Sequence, residues 1–200
     1  MFLPYVVGVN KVVCKSQFGK CSDNITVEIN QVGLDNYRQT KKKLKSVLAS
    51  DIFVRSYAIG FSLPGTVEVN IIERKPKYAL LARQKDKYAV LDDEGFVLLI
   101  LEESNLPSVI GDMRNVGESV SPKELFALEI VFDMFGLYGV KSGEMVGESL
   151  VLEAKEKRIV FPIEGDKDKL IGTARLVLDD GQYDEFREID LRFKNPVLKE

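Results

Sequence analysis

The chain reads as an α+β protein of two units, a β-α-α-β-β unit followed by a larger strand-rich unit with two helices. Three observations predict this. Helical and alternating apolar spacings succeed one another up to Glu73, the pattern breaks at Arg74-Lys75-Pro76, and short strands dominate thereafter. The expected boundaries are residues 1–76 and 77–200.

In the first unit, the Val-rich stretch Tyr5 to Val13 predicts a strand. Ser22 to Val32 predicts a helix, with Ser22 as its cap, Ile25, Ile29 and Val32 on one face, and Gly33 at its end. A second helix follows over Asn36 to Ala49, where Tyr37, Leu44, Val47 and Leu48 share a face. Lys41, Lys42, Lys43 and Lys45 join Arg38 on a face read as solvated. Strands over Ile52 to Leu63 and Thr66 to Glu73 meet at the turn Leu63-Pro64-Gly65-Thr66. In the second of them Val67, Val69 and Ile71 alternate with Glu68, Asn70 and Ile72.

In the second unit, strands are predicted at Tyr78 to Arg83, Lys87 to Leu91 and Phe96 to Leu101, the last two joined through Asp92-Asp93-Glu94-Gly95. Leu106 to Gly111 reads as a short covering strand. Ser121-Pro122-Lys123-Glu124 has the form of a helix start, with a cap, a first-turn proline and a glutamate three residues on. Its helix runs to about Tyr138 and is apolar almost all round, which predicts burial on more than one side. A hairpin of Ser149 to Ala154 and Arg158 to Ile163 turns at Lys155-Glu156-Lys157. A last helix spans Lys167 to Leu178, with Leu170, Ile171, Ala174 and Leu178 inward. The sequence FREIDLRFKNPVLKE then predicts a terminal strand, a common place for an open sheet edge.

Composition narrows the functional classes. With 45% hydrophobic and 30% charged residues the chain can both bury a core and stay in solution. A net charge of -3 argues against nucleic acid as the main partner. The chain contains no histidine, so the commonest general base and the usual zinc ligand are missing; carboxylate, lysine and tyrosine chemistry stays open. Asp92-Asp93 and Asp179-Asp180 sit beside glycines in predicted turns, and turn chemistry accounts for both. Gly136, Gly139, Gly143 and Gly147 form no phosphate-cradling motif, and Ser142-Gly143-Glu144-Met145 is a broken Ser-x-x-Lys. No catalytic residue, metal site or cofactor is therefore expected. Cys14 and Cys21 flank KSQFGK and form a disulfide candidate: paired in an oxidising compartment, two thiols in cytosol. No stretch is long and apolar enough to span a bilayer, and the opening MFLPYVVGVNKVV lacks the basic start and cleavage site of a signal peptide.

Taken in order, several motifs resemble the bacterial division family of FtsQ and DivIB. The segment from Phe53 through Pro64-Gly65 to Val69, then Ile72-Glu73-Arg74-Lys75-Pro76, is similar to the end of that family's POTRA domain. Tyr88 to Gly95 resembles its Val-x-Asp-x-x-Gly element, Leu106 to Gly111 its Leu-Pro-x-x-x-Gly, and Ile189-Asp190-Leu191-Arg192-Phe193 its ending. The cysteine loop and the missing membrane anchor depart from the family pattern.

The resemblance implies an N-terminal POTRA domain and a family-type β domain. It also implies a non-catalytic divisome scaffold on the extracytoplasmic face of the bacterial cytoplasmic membrane, carried by a single-pass anchor in the full-length protein. Its implied partners are FtsB/DivIC-like and FtsL-like division proteins, with a partner strand added beside the terminal strand and last helix. By position, the implied partner-binding residues are Arg192, Phe193, Lys194, Asn195, Val197 and Lys169. Arg192 would pair with a partner carboxylate, and Arg192→Glu would abolish binding while leaving the fold intact. An alternative is that Arg192 satisfies a carboxylate of its own chain. Arg55, Tyr57 and Ile59 mark a second possible edge, for upstream division proteins. Rival readings are a POTRA-containing module of a secretion or outer-membrane assembly system, and a secreted carboxylate enzyme.

Overall fold

A computed structural model describes residues 8–83 and 87–200. It divides into two units, Met1–Lys75 and Pro76–Glu200, a boundary one residue ahead of the expected one.

In the first unit, β1 (Lys11–Ser16) and β2 (Gly19–Lys20) are followed by α1 (Asp23–Asn30), α2 (Tyr37–Ser50), β3 (Val54–Ser62) and β4 (Thr66–Glu73). The sheet order is β2-β1-β4-β3, with β1 parallel and β3 antiparallel to β4. The β4 alternation sends Val67, Val69 and Ile71 into a core with Ile25 and Ile29 of α1 and Leu44 and Leu48 of α2. Of the predicted first strand, Tyr5 to Val7 lie outside the described residues, and β1 continues past Val13 to Ser16.

Both helices of this unit are capped, but not alike. The Asn36 side chain accepts from the Gln39 N–H at 3.0 Å. Ser22 precedes α1 as predicted, yet its hydroxyl makes no capping bond. Instead the buried Glu73 carboxylate, at the end of β4, accepts the Ser22 N–H at 3.0 Å. The acid that opens Glu73-Arg74-Lys75-Pro76 thus ties the sheet to the start of α1, where negative charge is favoured.

The second unit holds β5 (Tyr78–Ala82), β6 (Tyr88–Leu91), β7 (Val97–Leu101), β8 (Ser108–Gly111) and α3 (Pro122–Tyr138). There follow β9 (Ser142–Val146), β10 (Ser149–Ala154), β11 (Lys157–Pro162), α4 (Lys167–Asp179), a short 3-10 turn at Gly181–Tyr183, β12 (Glu188–Asp190) and β13 (Val197–Lys199). Among the described residues these strands form one sheet in the order β13-β12-β11-β10-β9-β8-β5-β6-β7. Helices α3 and α4 pack on one face, where Leu128, Val131, Ala174 and Val177 join Phe161, Ile189 and Leu191.

One expectation needs correction, and one strand was missed. Leu106 to Gly111 is not a covering strand, because β8 lies inside the sheet, parallel to both β5 and β9. Helix α3 packs against both the sheet and α4: Ala127, Leu128, Ile130, Val131 and Met134 face the core, while Phe132, Phe135 and Leu137 are exposed. Its start is as read, with Ser121 and Glu124 each accepting the other's backbone N–H. Strand β9 was not foreseen. A Cβ on its Gly143 would come within 2.8 Å of Leu150 and 2.9 Å of Val131, so glycine lets α3 press against the sheet.

Candidate partner-binding edge

The end of the chain builds the candidate site. After α4 and the 3-10 turn, the backbone enters β12, which pairs parallel with β11. It then reverses through residues 192–196 and returns as β13, antiparallel to β12. The outer rim of Glu188 to Asp190, expected to be free, is therefore occupied by the chain's own last strand. The sheet edge moves to Val197–Lys199, three residues long, whose far side carries no strand among the described residues.

Register sorts the side chains between the two faces. Ile189 and Leu198 are opposite one another and belong to the core side beneath α4. On the other face Arg158, Glu188 and Lys199 stand in line across three strands. Glu188 accepts from both cations, and these hydrogen bonds, Lys199's first, hold its carboxyl below the usual range. Asp190 shares that face, opposite Val197, and is buried.

Arg192 caps Asp190. Its Nε and Nη2 reach the two carboxylate oxygens at 2.9 and 2.6 Å, its N–H meets Oδ1 at 3.1 Å, and its Nη1 lies 3.4 Å from Ser149 Oγ. The side-chain hydrogen bonds from Arg192 lower the Asp190 pKa. Arg192 therefore pairs with a carboxylate of its own chain, while 45% of its side chain remains exposed. Its guanidinium also stands 5.9 Å from the Phe193 ring centroid.

Between α4 and the returning tail runs an open groove of about 610 Å³. Leu170, Val177 and Tyr183 line it from the helix side, Leu191 and Leu198 from the strands. Leu176 and Phe193 stand in it 62% and 59% exposed, so a large apolar surface faces water here. Lys169 and Lys194 also line it. Of the predicted residues, the structure gathers Lys169, Phe193 and Lys194 at this groove and puts Val197 on the adjoining edge. Asn195 sits exposed in the reversal, and Arg192 belongs to the Asp190 cluster. Leu176, Tyr183 and Leu198 were missed. Leu176 left a signal, an apolar residue off the inward stripe of its helix.

The second predicted edge is β3, which pairs only with β4 among the described residues. Tyr57 and Ile59 pack partly against the core of their unit, and Phe61, two residues further along β3, has its ring 5.0 Å from that of Tyr37 on α2. Arg55 is half-buried on the same strand. Cys14 and Cys21 are bonded to one another, their Cα atoms 5.7 Å apart.

The turn carboxylates have local tasks. Asp92 Oδ1 accepts the N–H groups of Glu94 and Phe96, Asp179 pairs with Lys155 at 2.7 Å, and Asp180 accepts from the Gln182 N–H. Among the described residues, no group of three or more Cys, Asp or Glu is placed to hold a metal ion. None of their helices is long and apolar enough to cross a membrane. The chain matches no protein-family model and no curated protein sequence.

Proposed function

We propose that this chain is a non-catalytic adaptor of the FtsQ/DivIB type, which docks FtsB/DivIC-like and FtsL-like division proteins at the β13 edge and the neighbouring α4 groove. It works at the extracytoplasmic face of the bacterial cytoplasmic membrane, where it recruits septal cell-wall synthesis proteins. The first unit is the POTRA domain of this reading. Two helices lying between β1 and the β3–β4 pair, with β1 parallel to β4, support that assignment.

One observation carries the docking argument: an open strand edge lies beside a groove that leaves Leu176 and Phe193 exposed. A strand of three residues, preceded by Pro196, offers a partner few backbone hydrogen bonds. Most of the affinity must then come from apolar burial in the groove, with Lys169 and Lys194 selecting an acidic partner. The partner that fits is a short strand running into an amphipathic segment with acidic flanks.

Calorimetry with FtsB/DivIC-like and FtsL-like ectodomains tests this. Leu176→Glu alters a side chain that water already reaches, so the fold should persist. Affinity should fall at least about tenfold, the equivalent of about 1.4 kcal/mol. Undiminished binding would overturn the reading.

A further inference from the structure

We infer that the disulfide-closed β1–β2 hairpin is a contact site for an anionic lipid bilayer, with Phe18 entering the headgroup layer and Lys15, Lys20 and Lys75 holding the lipid phosphates. The inference stands apart from the α4 groove.

The turn is unusually well fastened for an exposed loop. Cys14–Cys21 bridges its base. The Gln17 side chain donates to the Glu73 carbonyl at 2.8 Å and accepts the Glu73 N–H at 2.9 Å, joining the turn to β4 like an added strand residue. Ser16 Oγ accepts the Phe18 N–H and donates to the Lys20 carbonyl, both at 3.2 Å. These bonds present Phe18 to water, 54% exposed. A residue held out in this way contributes little to its own core.

The charges around it are arranged at a cost to the fold. Lys15 and Lys20 are direct cross-strand neighbours, a placement in which like charges repel. Both are exposed, and neither meets a carboxylate among the described residues. A third ammonium, that of Lys75, sits 3.3 Å from the Phe18 ring centroid. The net charge of -3 on the whole chain does not cancel this field at close range, because salt screens charges beyond about 8–10 Å.

An exposed aromatic ring with one ammonium against it, on a hairpin that carries two more lysines, matches a layer with anionic phosphates outside and acyl chains beneath. The shape favours lipid over an acidic peptide. Peptides are bound in grooves that bury their anchors, whereas Phe18 stands on a turn, which a deformable surface can receive.

Sedimentation of the whole chain with vesicles tests the inference. Equal parts phosphatidylglycerol and phosphatidylcholine should bind it; phosphatidylcholine alone, or 1 M salt, should not. Neutralising one lysine, as in Lys15→Gln or Lys20→Gln, should weaken binding about fivefold, and Phe18→Ser about tenfold. Lys42→Gln with Lys45→Gln, on the solvated face of α2, should change it little. Binding lost by the α2 variant but kept by the hairpin variants would overturn the site. Capture of a poly-glutamate peptide without vesicle binding would overturn the lipid assignment.

Discussion

Arg192 forks onto Asp190 of its own chain, Nε to Oδ1 at 2.9 Å and Nη2 to Oδ2 at 2.6 Å, over a carboxylate that is almost wholly buried. Arg192→Glu would set a second carboxylate against the first. It should lower the thermal unfolding midpoint as well as any partner binding, contrary to the expectation of an intact fold. An unchanged midpoint would show that the fork contributes nothing to stability. Leu176→Glu is therefore the cleaner probe of docking.

The same pair makes stability depend on acid. Hydrogen bonds from Arg192 hold the folded Asp190 pKa below its unfolded value of about 3.9. Its contribution is present above that value and is lost as pH falls through the folded pKa. Asp190→Asn should be less stable than the parent at pH 7 and at pH 5, with the gap closing below about pH 4. Urea melts across that range would measure it, and a gap that widens in acid would contradict the assignment.

Two glycines should respond with opposite signs. Gly143→Ala forces a methyl to within 3 Å of Leu150 and Val131 and should destabilise by about 1–3 kcal/mol. Gly136→Ala, inside α3 with nothing near the new methyl, should stabilise by about 0.5–1 kcal/mol. Chemical denaturation of both variants decides this.

Cys14 and Cys21 are seven positions apart, so their bond closes a short loop. Chain entropy assigns such a closure about 2.5 kcal/mol. Reduction should weaken amide protection across β1 and β4 in hydrogen exchange. Protection that survives reductant unchanged would contradict this.

Much of the fold was legible because its signals are local. Helix α3 announces itself through Ser121, Pro122 and Glu124, and β4 through the alternation of Val67, Val69 and Ile71. Placement in the sheet was not legible. Nothing within Ser108–Gly111 says that it lies between two parallel neighbours, since those partners are remote in sequence. Strand β9 carries Gly143 where an alternating pattern would put a large side chain, and the approach of α3 explains that choice only in three dimensions.

At the candidate site, Phe193, Lys194 and Lys169 were readable from the resemblance, but the fate of Arg192 was readable from spacing. Asp190 lies two residues before it, and the bend that begins at Arg192 brings its N–H and guanidinium back onto that carboxylate. The reversal into β13 was hidden because Lys194 and Pro196 look equally like edge guards and like a turn.

The inner position of β8 also bears on how the second unit is made. The ribbons β5-β6-β7 and β9-β10-β11 can each zip from sequence-local pairings, yet among the described residues the sheet joins them through this four-residue strand. Both of its pairings are parallel and require a long detour of chain. Synthesis therefore yields one finished half-sheet with an uncovered flank until α3 and β9 leave the ribosome. That interval, rather than the finished protein, is where this unit is most exposed to aggregation.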